Sequence, residues 1–468
     1  MGRGRLAGLF GWALCAVAPL LCGAAFAAEE APAPRTLGEA LLGGRAEYQL
    51  RLQRIELSYE PQFRYPAERR RALGAGLAVG YETAAWGGCA VGAVAYAAAP
   101  VDAPADLDGS GMLRSGQRGF GVLGQAYARC EAGPVAARAG RLILATPFLG
   151  PRDSLLAPVA VEGAVADVAL GAGFAAHGAV VVGYKARNGT AFVAPSAAGG
   201  FETDRSLSIV GLTRQGAVGG QLWAYRLRDY FDTYSAQLDV VRRLGRNVEA
   251  RLSLQAFRQR AVGAALAGDA RGGEAGALVA LDAFGAELRG AATVASRRGT
   301  ILKPWGDYPG FTSIMEEDCD IPGERAWLFG ATLDLARLGA PGLVVGGDYT
   351  KAWVPDPGLG MSRLDQHESD VTLAYAFSGR LRGFAAKLRW ATVRSALSAG
   401  SLNGREYRDL RFGLAYAGSV RRGARRGRPP RRTARPSAVT RRGRIFGATP
   451  ARRPAAAGRR RWQRSCFW

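Results

Sequence analysis

Lys387 and Arg389 stand two residues apart in a stretch whose even positions, Phe384, Ala386, Leu388 and Trp390, are apolar. A spacing of two puts both cations on one face of a β-strand and the apolar set on the other. Arg411 repeats the arrangement: Asp409, Arg411, Gly413 and Ala415 oppose Leu410, Phe412, Leu414 and Tyr416. Carboxylates concentrate elsewhere. Asp307, Glu316, Glu317 and Asp318 fall in one Pro- and Gly-rich segment, while Thr146, Asp153, Ser154 and Glu162 are interleaved with Pro147, Pro151 and Pro158. Those prolines bar a continuous central strand there, so the polar groups belong to a loop. Cations on a wall facing carboxylates on loops would set a transverse field across a narrow passage, orienting zwitterions and sorting solutes by charge. The plainer reading is a set of solvated charges with no selective role.

Other chemistries find little support. A Ser-His-Asp relay needs a histidine, and the chain has two, His177 in a Gly/Ala-rich strand and His367 in a charged segment read as a loop. Neither lies in a nucleophile motif. Cys89, Cys130, Cys319 and Cys466 are far apart, with no C-x-x-C and no histidine pair, which excludes a zinc site. Residues 119–124, GFGVLG, match G-x-G-x-x-G without a following helix and read as a glycine-rich strand. Residues 106–111, DLDGSG, lack the distant glutamate of a calcium loop and read as a turn. No cofactor or metal is expected.

The elements that must position these groups are strands in an exported chain. Met1 to Arg5 carries two arginines, Leu6 to Cys22 is apolar, and Ala25-Phe26-Ala27 offers a cleavage site, so residues 1–27 read as a signal peptide. No second apolar run is long enough for a membrane helix. Strict alternation recurs instead: Val248, Ala250, Leu252, Leu254 and Ala256 against Glu249, Arg251, Ser253 and Gln255. It returns with Val371, Leu373, Tyr375 and Phe377 on one face, and with Trp327, Phe329, Ala331, Leu333 and Leu335 on another. Aromatic residues at strand ends and small or charged residues on the opposite face favour a transmembrane β-barrel over a soluble sandwich. Short turns such as residues 243–247 contrast with long segments such as 99–117 and 352–368. Residues 28–418 are expected to form an all-β antiparallel barrel of about 16 to 20 strands.

The net charge of +23 is misleading until it is located. Seventeen arginines and no acid lie in residues 421–468, and the remainder of the mature chain is close to balanced. The body therefore has no motive for binding nucleic acid. Residues 419–468, rich in Arg, Pro and Ala, read as a disordered tail or a frameshift product; the alternative is a genuine basic extension.

Residues 140–163, GRLILATPFLGPRDSLLAPVAVEG, and 304–328, PWGDYPGFTSIMEEDCDIPGERAWL, resemble the OprD family of outer-membrane porins. The first is similar to that family's G-R-x-x-x-x-T-P-x-x-x-x-x-D-S-R-x-x-P-x-x-F-E-G, the second to its P-W-G-x-Y-P-G-[YF]-T-S stretch. Residues 388–395 and 407–411 look like its closing strands. The resemblance implies a barrel of about 18 strands, monomeric or loosely trimeric, with inward loops facing a ladder of basic side chains. It also implies passive diffusion of small carboxylate-bearing solutes, a multi-pass place in the outer membrane, and contact with its lipid and with the barrel assembly machinery. Leu155 replaces the arginine of D-S-R and Val161 the aromatic before E-G. That makes the eyelet less attractive to anions. A barrel-embedded hydrolase and a plugged structural or adhesive barrel are the alternatives.

Overall fold

The computed structural model describes residues 34–60, 68–201, 203–355, 362–398 and 405–421. The expected signal peptide and the tail beyond Arg421 lie outside them. Strands β1 (Arg45–Tyr59), β2 (Glu68–Glu82), β3 (Cys89–Asp102), β4 (Phe120–Ala132), β5 (Val135–Leu142) and β6 (Ala160–Gly171) open the chain. Strands β7 (Phe174–Lys185), β8 (Leu207–Arg214), β9 (Val218–Leu227), β10 (Phe231–Gly245), β11 (Val248–Ala261) and β12 (Gly273–Ala283) follow. The last are β13 (Ala286–Ala295), β14 (Arg325–Asp334), β15 (Leu343–Trp353), β16 (Ser362–Ala376), β17 (Phe384–Ser398) and β18 (Arg405–Arg421). Each pairs antiparallel with its sequence neighbours, and β1 pairs with β18 from Arg45↔Arg421 to Tyr59↔Tyr407. The 18-stranded sheet is closed, so no edge is left with unpaired backbone groups in a lipid environment.

Polarity is inverted relative to a water-soluble domain. Along β11, Leu252 and Leu254 are 42% and 45% exposed, whereas Ser253 and Gln255, which alternate with them, are 3% and 7% exposed. β17 and β18 repeat this with Leu388, Trp390, Leu410 and Phe412 outward and Asp409 and Ala415 inward. An apolar outer face suits hydrocarbon, and a polar inner face suits a lumen. Among the described residues no helix is long and apolar enough to cross a membrane; the strands do so.

The two rims differ. Tight turns after even-numbered strands include Ala172-Gly173 and Phe284-Gly285, where both residues take positive φ and close two-residue hairpins. The long connections all follow odd-numbered strands, at residues 103–119, 143–159, 186–206 and 296–324, although β9 and β10 are joined by 228–230 alone. By the rule for such barrels the short-turn rim is periplasmic and the long-loop rim external. A disulfide between register partners Cys89 and Cys130 ties β3 to β4 at the periplasmic rim, a pairing that spacing alone left open.

Some strands outrun the sequence reading. Residues 99–102, 352–353 and 362–368, read as parts of long loops, are strand, so His367 sits in β16 opposite Lys351 and Arg394. Above the membrane both faces of a hairpin meet polar surroundings, so alternation fades while hydrogen bonding continues. Leu335, grouped with β14, begins a short 3-10 turn instead.

Loops fill the lumen. Phe148 packs edge-on against Tyr225 of β9, Phe257 of β11 and Tyr308 of the 296–324 loop. Burying such a ring stabilises the inward seat by roughly 1.5–3 kcal/mol. Leu156 lies against Gly74 and Gly76 of β2, where an added Cβ would come within 2.9 and 3.1 Å of its side chain. One loop thus touches walls on two sides of the barrel.

Candidate pore constriction

The 143–159 loop is latched by a buried fork. Arg51 of β1, 6% exposed, donates from Nη1 and Nη2 to Asp153 Oδ1 and Oδ2 at 2.5 and 2.6 Å, and from Nη1 to the Leu155 carbonyl at 2.5 Å. Gln53, two residues along the same face, donates to the Ser154 carbonyl at 3.0 Å. Asp153 therefore holds the loop to the wall and is already neutralised. Ser154 Oγ accepts from Arg187 Nη1 at 3.1 Å, and Thr146 donates to the Leu149 carbonyl at 2.9 Å to close the loop's first turn.

The 296–324 loop is seated from the other side. Glu368 of β16 accepts three successive backbone N–H groups, from Met315 (3.1 Å), Glu316 (2.9 Å) and Glu317 (2.9 Å). Successive amides aimed at one carboxylate form an anion nest. Glu316 meets Arg411, and Glu317 accepts from the Tyr407 hydroxyl at 2.9 Å. Asp318 pairs with Lys303 at 2.6 Å and accepts from Ser313 at 2.8 Å. Asp307 joins the two loops, accepting from the Gly150 amide and lying 3.7 Å from Arg152. Burial pushes the carboxyls of Asp307, Asp320 and Glu316 upward, in Glu316 against the pull of Arg411, and carries Glu324 up to about 7.

The basic ladder lies where alternation put it, on the lumen face, with Arg389 and Arg411 as direct register partners on β17 and β18 and Lys387 one step toward the periplasmic rim. Its cations are not free to face distant loop acids. Arg411 grips Asp409 at 2.9 Å as well as Glu316, and Arg389 lies 3.7 Å from Asp370. The charged belt continues through Asp348 to Arg289, which reach each other because Gly330 has no side chain; a Cβ there would meet Asp348 at 2.1 Å.

Glu162 needs correcting. Its register partner is Arg141, at 3.8 Å, and the neighbouring pair Leu142↔Val161 points into the packed interior. Alternation therefore turns Glu162 to the outer face, away from the constriction. What sequence reasoning missed is Arg152 and Arg187. Arg187 donates to Ser154 Oγ, and burial first, then the charges of Arg152 and Arg411, push its guanidinium down to about 10. Two loop arginines carry no periodic signal. Gln49, Arg51 and Gln53, by contrast, alternate in β1 and could have been read as a lumen face.

His177 is a wall bracket. Its Nδ1 is 2.7 Å from Asp167, its Nε2 2.9 Å from Thr213, and its ring stacks on Trp223, linking β6, β7, β8 and β9. Thr213 sits within a strand paired on both sides, so neighbouring amides are committed to the ladder and offer no oxyanion pocket.

A closed barrel with an apolar exterior and a charged, loop-narrowed lumen defines a diffusion pore of an outer membrane. The model of the OprD family of outer-membrane porins matches residues 62–417, and the chain belongs to that family. Its fold is similar to Pseudomonas aeruginosa OccK9 (OpdG), at 20% identity and TM-score 0.73 over 81% of this chain and all of that one. It is also similar to P. aeruginosa OpdK solved with vanillate (17%, 0.71, 81% and 99%) and to Acinetobacter baumannii OccAB3 (16%, 0.72, 81% and 99%). No curated protein matches by sequence. The chain is an outer-membrane porin for small solutes, and its family and fold are those of non-enzymatic channels.

Proposed function

We propose that this pore passes small carboxylate-bearing solutes, such as amino acids and organic acids, as a monomer or loose trimer delivered by the barrel assembly machinery. The observation that carries the reading is the cation cluster at the loop junction, where half-buried Arg187 donates to Ser154 Oγ at 3.1 Å and Arg152 and Arg411 lie close enough to repel it, with Asp307 among its neighbouring counter-charges. A carboxylate entering there relieves cation repulsion and finds planar donors suited to bidentate contact. It then has Arg389 and Lys387 ahead of it toward the periplasm, each already partly paired and so able to release it. The neighbour OpdK was solved with vanillate, a carboxylate. Planar-bilayer recording tests the reading. Arg389→Ala with Arg411→Ala is expected to shift the reversal potential toward cations and slow carboxylate flux in vesicles. Unchanged selectivity and flux in a folded double variant would remove the ladder from the mechanism.

A further inference from the structure

The outer faces of β9, β10 and β11 form a grid whose rows are fixed by register. Upward from the level of Arg214, the last residue of β8, the rows are Gly220, Leu238, Leu254; Leu222, Ala236, Ala256; Ala224, Tyr234, Arg258; and Arg226, Asp232, Arg260. The change from apolar to cationic falls between the second and third rows, at the external rim. Asp232 orients two guanidiniums, taking Arg226 Nε and Nη2 at 2.8 Å each and Arg260 Nη2 at 3.2 Å. Arg260 also donates to the Tyr234 hydroxyl at 2.8 Å and lies over its ring. Arg226 and Arg260 are still 61% and 56% exposed, and Arg258 is exposed with no partner among the described residues. Three cations stand against one carboxylate, and each paired arginine keeps unused N–H donors.

Directly beneath lies a groove of about 470 Å³, lined by Leu222, Leu238, Leu254 and Leu212, reaching Phe174, Val218 and Arg214 at the periplasmic ends of β7, β8 and β9, and deepened by Gly219 and Gly220, which have no side chains to fill it. From the Leu254 row to the Arg258 row is roughly 13 Å, a distance a fatty-acyl chain spans. An apolar slot running up to a fixed pair of guanidinium forks has the chemistry of a phosphorylated lipid.

The geometry points to a binding site for a phosphorylated glycolipid of the outer leaflet, its phosphate on Arg258 and Arg260 beside Arg226 and one acyl chain in the groove. A soluble anion would use the forks and leave the groove empty. A neutral lipid would use the groove and leave the forks unused. A related transition recurs across the barrel on the outer faces of β18, β1 and β2, where Arg54 and Arg69 pair with Glu56, Arg71 with Asp102 and Arg408 with Glu60, above Leu52, Leu414 and Ala75.

Native mass spectrometry of the purified barrel in detergent, titrated with bisphosphorylated lipid A, its dephosphorylated form and inorganic phosphate, tests the site. The phosphorylated lipid is expected to bind, with dephosphorylated lipid and the Arg258→Ala/Arg260→Ala variant each weaker by about tenfold or more. Arg242→Ala, an exposed outward arginine at the opposite rim, is expected to bind normally, and inorganic phosphate not to compete. Equal binding of dephosphorylated lipid would overturn the proposal without recourse to any variant. So would undiminished binding by a double variant that keeps heat-modifiable migration. Full competition by inorganic phosphate would reassign the arginines to a free anion.

Discussion

Arg51 satisfies a buried carboxylate and a buried carbonyl with one guanidinium, so its removal leaves Asp153 charged and unpaired. Breaking a buried pair from one side costs about 3–5 kcal/mol, more than the roughly 1.5–3 kcal/mol that burial of the Phe148 ring contributes. Arg51→Ala is therefore expected to unlatch residues 143–159 and raise single-channel conductance, with noisier currents, while the barrel stays closed. Arg51→Ala combined with Asp153→Asn removes the stranded charge and is expected to recover part of the narrow state. At this scale the sequence was only half legible. It named Asp153, Glu316 and Arg411 by type and position, but Arg51 is 102 residues from Asp153 and Arg411 is 95 from Glu316. Which charge neutralises which is decided by barrel closure, which no local pattern carries. Glu162 was misplaced for a related reason: in a proline-rich segment that enters a strand, the first inward residue cannot be counted from the loop.

Strands were the most readable elements, because hydrocarbon outside and charge inside enforce period two in β11, β14, β16, β17 and β18. Where that contrast ends, so did the signal, and the upper part of β16 looked like a loop. That upper part matters, since Glu368 is what seats the 296–324 loop and Gln366 donates to Glu324 at 2.7 Å. Burial raises the Glu316 and Glu324 carboxyls above their ordinary values. A raised carboxyl stabilises the docked loop fully below the ordinary carboxylate range and loses that contribution as pH rises through the folded value. Docking should therefore weaken as pH rises from the ordinary carboxylate value of 4.5 to the value of about 7 for Glu324, and level off above it. Protection of the amides of residues 310–324, after correction for the intrinsic pH dependence of exchange, is expected to fall over that window, together with a rise in current flicker. Glu324→Gln, which holds no titrating proton there, should flatten the response.

For the whole chain, fractionation should recover the protein with the outer membrane, migrating faster unheated than boiled, with a mature N-terminus near Ala28. Soluble recovery from the periplasm would contradict the location. Intact mass should decide whether residues 422–468 are present, and labelling of Cys89 and Cys130 only after reduction would establish the bond in the exported protein. β1 and β18 run side by side with Arg45 opposite Arg421, so the first and last strands start and finish at the same rim as neighbours. The order in which the chain visits the wall is then incidental to the wall itself. A circular permutant that joins those ends through a short linker and opens at the Arg246-Asn247 turn, across the ring, should thread the same eighteen strands in a new order and still close.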